Sequence, residues 1–400
     1  MKKIFIYLSL FCISLNTYAQ DIPDTLDYRR SSLYSILINH EEQKFAKEIG
    51  DVFLEIPIPD KYNNHDLSVK IVSMDKRLRG KEVVDSFIVK NDIASRMVAR
   101  WFNRDQFTGI CDVNLVKERG LYDASEFDKE LAARSARGKA LLEDAGEDLI
   151  GNTFLLVNDI RYRDKEKASK GAGIAFRVLG AIAGGVAGVD LSDATDALAN
   201  MIESIKGFKV IVNTHLYQLV WDEETSATFY REYYSSTPDS AKVEAFKNNR
   251  DKFKMVYIGS QRSDGNSVSV MGVNLEEPEQ MVRKACQRAI DENIVSLQKN
   301  FDVFKVKTPL ISTDPIYAEI GMKEGITTDS RFEVLEVVLD NDKIKYKRVG
   351  VIKPVKDKIW DNRYMAVEEG ATGANLKYTT FTKVSGNKDF YPGMLIREIK

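Results

Sequence analysis

Apolar positions recur along this chain in two alternating periods. From Glu276 to Phe301, Val282, Cys286, Ile290, Ile294, Leu297 and Phe301 step by three or four residues and predict a long helix with one buried stripe. Ile93, Met97, Val98 and Trp101 predict a shorter helix over Ile93–Phe102, and Ser31–Phe53 also reads as helix with a short strand-like exit. Strands are expected at Leu67–Met74, around Gly109–Leu115 and at Leu149–Val157, with a polar helix between, from about Ser125 to Glu143. Phe208–Val220 and Ser226–Tyr234 read as a hairpin about Asp222–Thr225, and Lys254–Ser260 and Ser267–Gly272 as a second pair about Asp264-Gly265. Beyond Lys305 the pattern shortens into strands at Phe332–Leu339, Lys343–Val351, Tyr378–Val384 and Met394–Ile399. The class is α+β: a mixed sheet with packed helices over residues 21–304, interrupted by a Gly/Ala-rich insertion at 161–205, then a small barrel-like all-β domain over 305–400.

The first twenty residues follow a third pattern. Lys2 and Lys3 precede an apolar run from Ile4 to Leu15, and Thr17-Tyr18-Ala19-Gln20 follows, which reads as a secretory signal cleaved after Ala19 or Gln20. The run is shorter than the roughly 20 residues a permanent membrane span requires. Cys12 follows the bulky Phe11, so a lipid anchor is not expected there. Export places the chain in the periplasm or at the outer membrane. Cys111 and Cys286 then remain, and they read as two buried free thiols.

Composition narrows the chemistry. Lys+Arg 58 against Asp+Glu 60 gives a net charge of −2, without the cationic surplus of a nucleic-acid binder. Three His and three Cys share no ligand spacing, and neither a metal nor a cofactor is expected. His40-Glu41-Glu42 has Lys44 where a zincin would need its second His. Gly171-Ala172-Gly173 lacks the Gly-Lys-Ser/Thr ending of a phosphate loop and does not directly follow a strand. The acidic pairs Asp128/Glu130 and Asp144/Glu147 lie in charged stretches that read as solvated faces. No residue is therefore singled out as catalytic.

What stands out is physical. Gly173, Gly180, Gly184 and Gly188 are spaced so that neighbouring backbones could approach closely, as in small-residue helix contacts. They are the candidate residues for self-association, for contact with envelope partners, or for membrane contact through 171–189. Trp221 and Tyr233, with Tyr230 and Tyr234, crowd one expected hairpin and are the candidate binding aromatics.

The run Arg100-Trp101-Phe102-Asn103-Arg104 with Phe107 beyond it, the strand at Leu149–Val157 opening a long insertion, and the Asp222–Thr225 turn resemble the periplasmic α/β domain of the curli-secretion channel lipoprotein family. Gly321-Met322-Lys323-Glu324-Gly325 and Tyr391-Pro392-Gly393-Met394 are similar to the small β-domain of flagellar outer-membrane ring accessory proteins. The resemblance spans roughly Leu67–Lys400 and implies helices on a mixed sheet in an envelope protein. The chain departs from the channel family in lacking both the lipidated Cys and alternating membrane strands in its insertion. The expected function is non-catalytic, by assembly or partner binding; a periplasmic hydrolase with a carboxylate pair and a peptide- or glycan-binding module are the alternatives.

Overall fold

The computed structural model describes residues 25–27, 31–59, 62–75, 77–123, 129, 132–133, 140–163, 205–270, 278–305, 307–340, 343–386 and 389–399. Two strands run through the middle of the first sheet: β2 (Ser32–Asn39), preceded in the chain by the short β1 (Thr25–Asp27), and β5 (Thr153–Tyr162). Both are apolar on successive residues because helices cover both faces of the sheet. Tyr34, Ile36, Leu155 and Val157 face one layer, while Leu33, Leu37, Phe154 and Leu156 face the other. This burial on both sides also explains why Ser31–Phe53 does not form the helix its apolar density suggests. Its first part is the strand β2, and helix begins only at α1 (Ala46–Glu55).

The short strands β3 (Asn63–Asn64) and β4 (Ile71–Ser73) lie parallel to β2 along its outer side, and β5 lies parallel along the other. Two long strands, β6 (Ile205–Leu219) and β7 (Met255–Val270), then continue the sheet antiparallel, in the order β3-β2-β5-β6-β7. The helices α2 (Lys81–Lys90), α3 (Ile93–Trp101), α4 (Val113–Asp123) and α5 (Ala140–Gly151) precede β5. Between β6 and β7 come α6 (Glu223–Glu232) and α7 (Ser240–Asn248). The long helix α8 (Pro278–Asn300) lies on the opposite face with α1. The expected stripe of α8 is the buried one: Val282, Cys286, Ile290, Ile294 and Leu297 enter the core, and Phe301 packs against it.

Four expected turns or strands resolve differently. Asp222–Thr225 is a helix start rather than a hairpin turn: Asp222 accepts the Thr225 N–H at 2.8 Å, and Glu223 and Glu224 occupy the first turn, where carboxylates favour a helix. Ser226–Tyr234 is accordingly helical over most of its length rather than a strand. Asp264-Gly265 does not turn, because β7 runs straight through it. A Cβ at Gly265 would lie 2.0 Å from the Ala285 carbonyl oxygen, so glycine is there to let α8 lie close on the strand. Around Gly109–Leu115, only Ile110 makes a lone bridge, to Ser235, and α4 begins at Val113.

The C-terminal region is all-β. The strands are β8 (Thr308–Thr313), β9 (Ile316–Ala318), β10 (Arg331–Asp340), β11 (Lys343–Pro354), β12 (Thr379–Ser385) and β13 (Leu395–Ile399). The pairings β11-β10-β13-β8-β9-β12 return to β11, so the six strands form a barrel-like antiparallel ring. Phe332, Val334, Ile352, Phe381 and Ile396 fill it. β1 pairs with the edge of β11 opposite β10, along the part that β12 leaves free, with Leu26 opposite Tyr346. α8 connects the two regions: Arg288 reaches Glu369 at 2.7 Å, and Lys299 donates to the Gly325 carbonyl at 2.8 Å.

Candidate functional site

α3 is two-sided. Ile93, Met97, Val98 and Trp101 enter the core, so Arg96 and Arg100 project from the other face at a four-residue spacing, and Arg104 follows in the loop. These side chains line a groove of about 1250 Å³, closed on its far side by Val243, Phe246, Lys247 and Arg250 and at one end by Asp66–Ser68. Among the described residues five cationic side chains line it, against the three carboxylates Asp66, Asp105 and Glu244.

The loop after α3 is built to hold its shape. Asp105 accepts the backbone N–H groups of Phe107 (3.0 Å) and Thr108 (2.7 Å) and the Thr108 hydroxyl (2.8 Å). The bond from the Thr108 N–H is the largest cause holding the Asp105 carboxyl below its usual range. Gly109 closes the turn with φ +75°, and its N–H donates to the Asp105 carbonyl. Phe107 is thereby presented at the groove, 79% exposed. Arg104 lies against the Phe246 ring at 4.3 Å and donates to the Lys242 carbonyl at 3.1 Å. Burial lowers its proton affinity. Arg250 is tied to Asp92 at 2.8 Å.

A second concavity of about 620 Å³ surrounds Trp221 and is lined by Glu147, Asp148, Asn152, Gln218, Asp222 and Glu223. Glu147 is fixed by donors from Trp221 (Nε1, 3.2 Å), Ser226 and Tyr230. Trp221 also packs its ring on Phe102 and Phe229, at 5.8 and 5.6 Å. Tyr233, the other expected binding aromatic, does not face solvent. It is 1% exposed and packs between Phe229, Phe246 and Phe253. The contacts Trp221–Phe229–Tyr233–Phe246–Arg104 run from one concavity to the other, so this aromatic cluster is the floor shared by two surface sites. Gly173, Gly180, Gly184 and Gly188 lie outside the described residues.

The remaining reactive side chains hold the fold. His40, at the end of β2, contacts the Met74 carbonyl through Nδ1 (3.0 Å) and Asp159 through Nε2 (2.8 Å), so both ring nitrogens are occupied. Asp159 also receives Arg161 at 2.8 Å, which clasps together the ends of β2 and β5. His65 is buried beside Trp101, and desolvation lowers its pKa to about 4. Cys111 and Cys286 are free and buried; burial raises both thiols, Cys286 to about 12. Thiols so placed are poor nucleophiles. Among the described residues no cluster of His, Cys, Asp or Glu could hold a metal ion.

Sequence reasoning singled out Trp221 but missed the arginine groove and the His40–Asp159 clasp. The groove did leave a trace: Arg96, Arg100 and Arg104 recur every fourth residue opposite the apolar stripe. No protein-family model matches this chain, and no curated protein matches it in sequence.

Proposed function

We propose that this chain is an exported, non-catalytic protein of the cell envelope that works by docking partners, and that the α3 groove is where it does so. The carrying observation is the combination of Phe107, held out in solvent by the Asp105 turn, with arginines along the same concave surface. Exposed aromatic and arginine side chains around a desolvated centre are the residue types that dominate protein-protein binding energy. The excess of cations selects an acidic polypeptide segment, with an apolar residue to cover Phe107. The basic start and apolar run of the first twenty residues support export.

The test titrates a fluorescent peptide of alternating Glu and Leu against the purified chain from Asp21 onward. Binding should weaken about tenfold in Phe107→Ala and in Arg100→Glu, and should fall as salt rises above about 0.1 M. Binding indifferent to both substitutions and to salt would remove the groove from the account. Cell fractionation tests export separately: the chain should appear in the envelope fractions with an N-terminus at Gln20 or Asp21.

A further inference from the structure

The two edges of the first sheet are treated differently. On one side β2 is flanked, among the described residues, only by the two-residue β3 and three-residue β4, and very short strands offer little to an incoming chain. The other edge is β7, sixteen residues long, paired to β6 along its whole length and to no strand on its outer side among the described residues. Natural edges of that length are guarded by lysine, proline or inward charge. Met255–Val270 contains no lysine and no proline, and its only charges are Arg262 and Asp264.

These two charges are self-complementary. Ser260, Arg262, Asp264 and Asn266 are exposed on one side of the strand, while Ser263 and Gly265 are buried beneath α8 on the other. Ser263 donates to the Ala289 carbonyl at 2.7 Å, which fixes the strand against its helix. A second β7 laid antiparallel with Ser263 at the centre sets residue 262 opposite 264 and residue 260 opposite 266. Arg262 then faces Asp264 of the second copy, twice over by symmetry. Asp264 already receives Lys209 at 3.1 Å, and a carboxylate has capacity for a second cationic donor. A register one residue away would not bring the two charges into this reciprocal pairing.

We propose that two copies of this chain join antiparallel through the outer edges of β7, about a two-fold axis at Ser263, continuing one sheet across both molecules. The axis is perpendicular to the sheet, so α8 of each copy lies on the same face, and the interface is closed rather than propagating. This deepens the docking reading by naming a second copy as one partner, at a surface separate from the α3 groove.

Light scattering and sedimentation of the chain from Asp21 onward should show a concentration-dependent dimer. Arg262→Asp and Asp264→Arg each place like charges opposite one another and should weaken the dimer about tenfold or more. The double exchange R262D/D264R should restore it. Register is read by mixing Ser260→Cys with Asn266→Cys chains, which should cross-link to each other far more than either does alone. Circular dichroism of each variant confirms folding, and the acidic-peptide titration should be unchanged in Arg262→Asp, so failure here and failure of the groove are separable. A monomer throughout, a dimer indifferent to both reversals, or cross-links without the 260–266 preference would overturn the proposal.

Discussion

The two regions solve the problem of strand edges in opposite ways. In the C-terminal ring every strand from β8 to β13 has a neighbour on both sides, and β1 takes up the stretch of the β11 edge that β12 leaves free. In the first sheet the layering is more elaborate, with helices on both faces and two hydrophobic cores, yet β7 ends it with a sixteen-residue edge that pairs with no further strand among the described residues. Covering faces and closing edges are thus separate tasks. A sheet sandwiched by helices can be fully stable and still be prepared to grow sideways, whereas a closed ring cannot.

Emptying one core at a time should separate the two regions by the largest effect. Phe154 and Phe332 are both fully buried, one in each region, and each change to Ala should cost about 3–5 kcal/mol. Trp101 and Trp221 report the sheet and Trp360 the C-terminal region, so urea melts of single-tryptophan variants separate the two. Phe332→Ala should lower the Trp360 midpoint more than the other two, and Phe154→Ala the reverse. Equal shifts at all three would mean that α8 couples the regions into one cooperative unit.

A smaller effect lies where the regions meet. Asp291, on α8, faces Lys323 and Glu324, and desolvation raises its carboxyl to about 7. In the unfolded chain an aspartate ionises near pH 3.9. Between about pH 4 and 7 the unfolded state therefore loses a proton that the folded state keeps, and stability falls as pH rises through that window, by about 3 kcal/mol. Asp291→Asn should flatten this part of the curve, measured by urea denaturation at pH 5 and pH 8. Parallel curves for the two proteins would show that the junction carries no such charge cost. The smallest change sharpens the local picture: Asp222→Ala removes the cap of α6 and should cost about 1 kcal/mol, seen as a shift in the Trp221 midpoint.

Which parts of this architecture were legible depended on how many layers each segment serves. α3 and α8 bury one stripe each, so their periods were readable residue by residue. Ser32–Asn39 buries both faces, and a short continuous apolar run carries no period to distinguish strand from helix. Asp222–Thr225 and Asp264-Gly265 are turn-like in composition, but an aspartate also caps helices and a glycine also admits a close backbone, and tertiary packing decided between those uses. The α3 groove draws on residues near 66, 100 and 245, and the His40–Asp159 contact joins strands 119 positions apart. Such sites exist only after the topology does.

The pairing of β1 with β11 has a consequence for how the molecule is made. Thr25–Asp27 find their partners at Lys345–Lys347, so a strand that leaves the ribosome early must wait for more than three hundred later residues before it can settle. The first sheet can assemble during that interval, while Thr25–Asp27 have no partner strand until β11 is made. Docking of β1 is then a late event, and protection of its backbone amides would mark the moment when synthesis and folding of the whole chain have both finished.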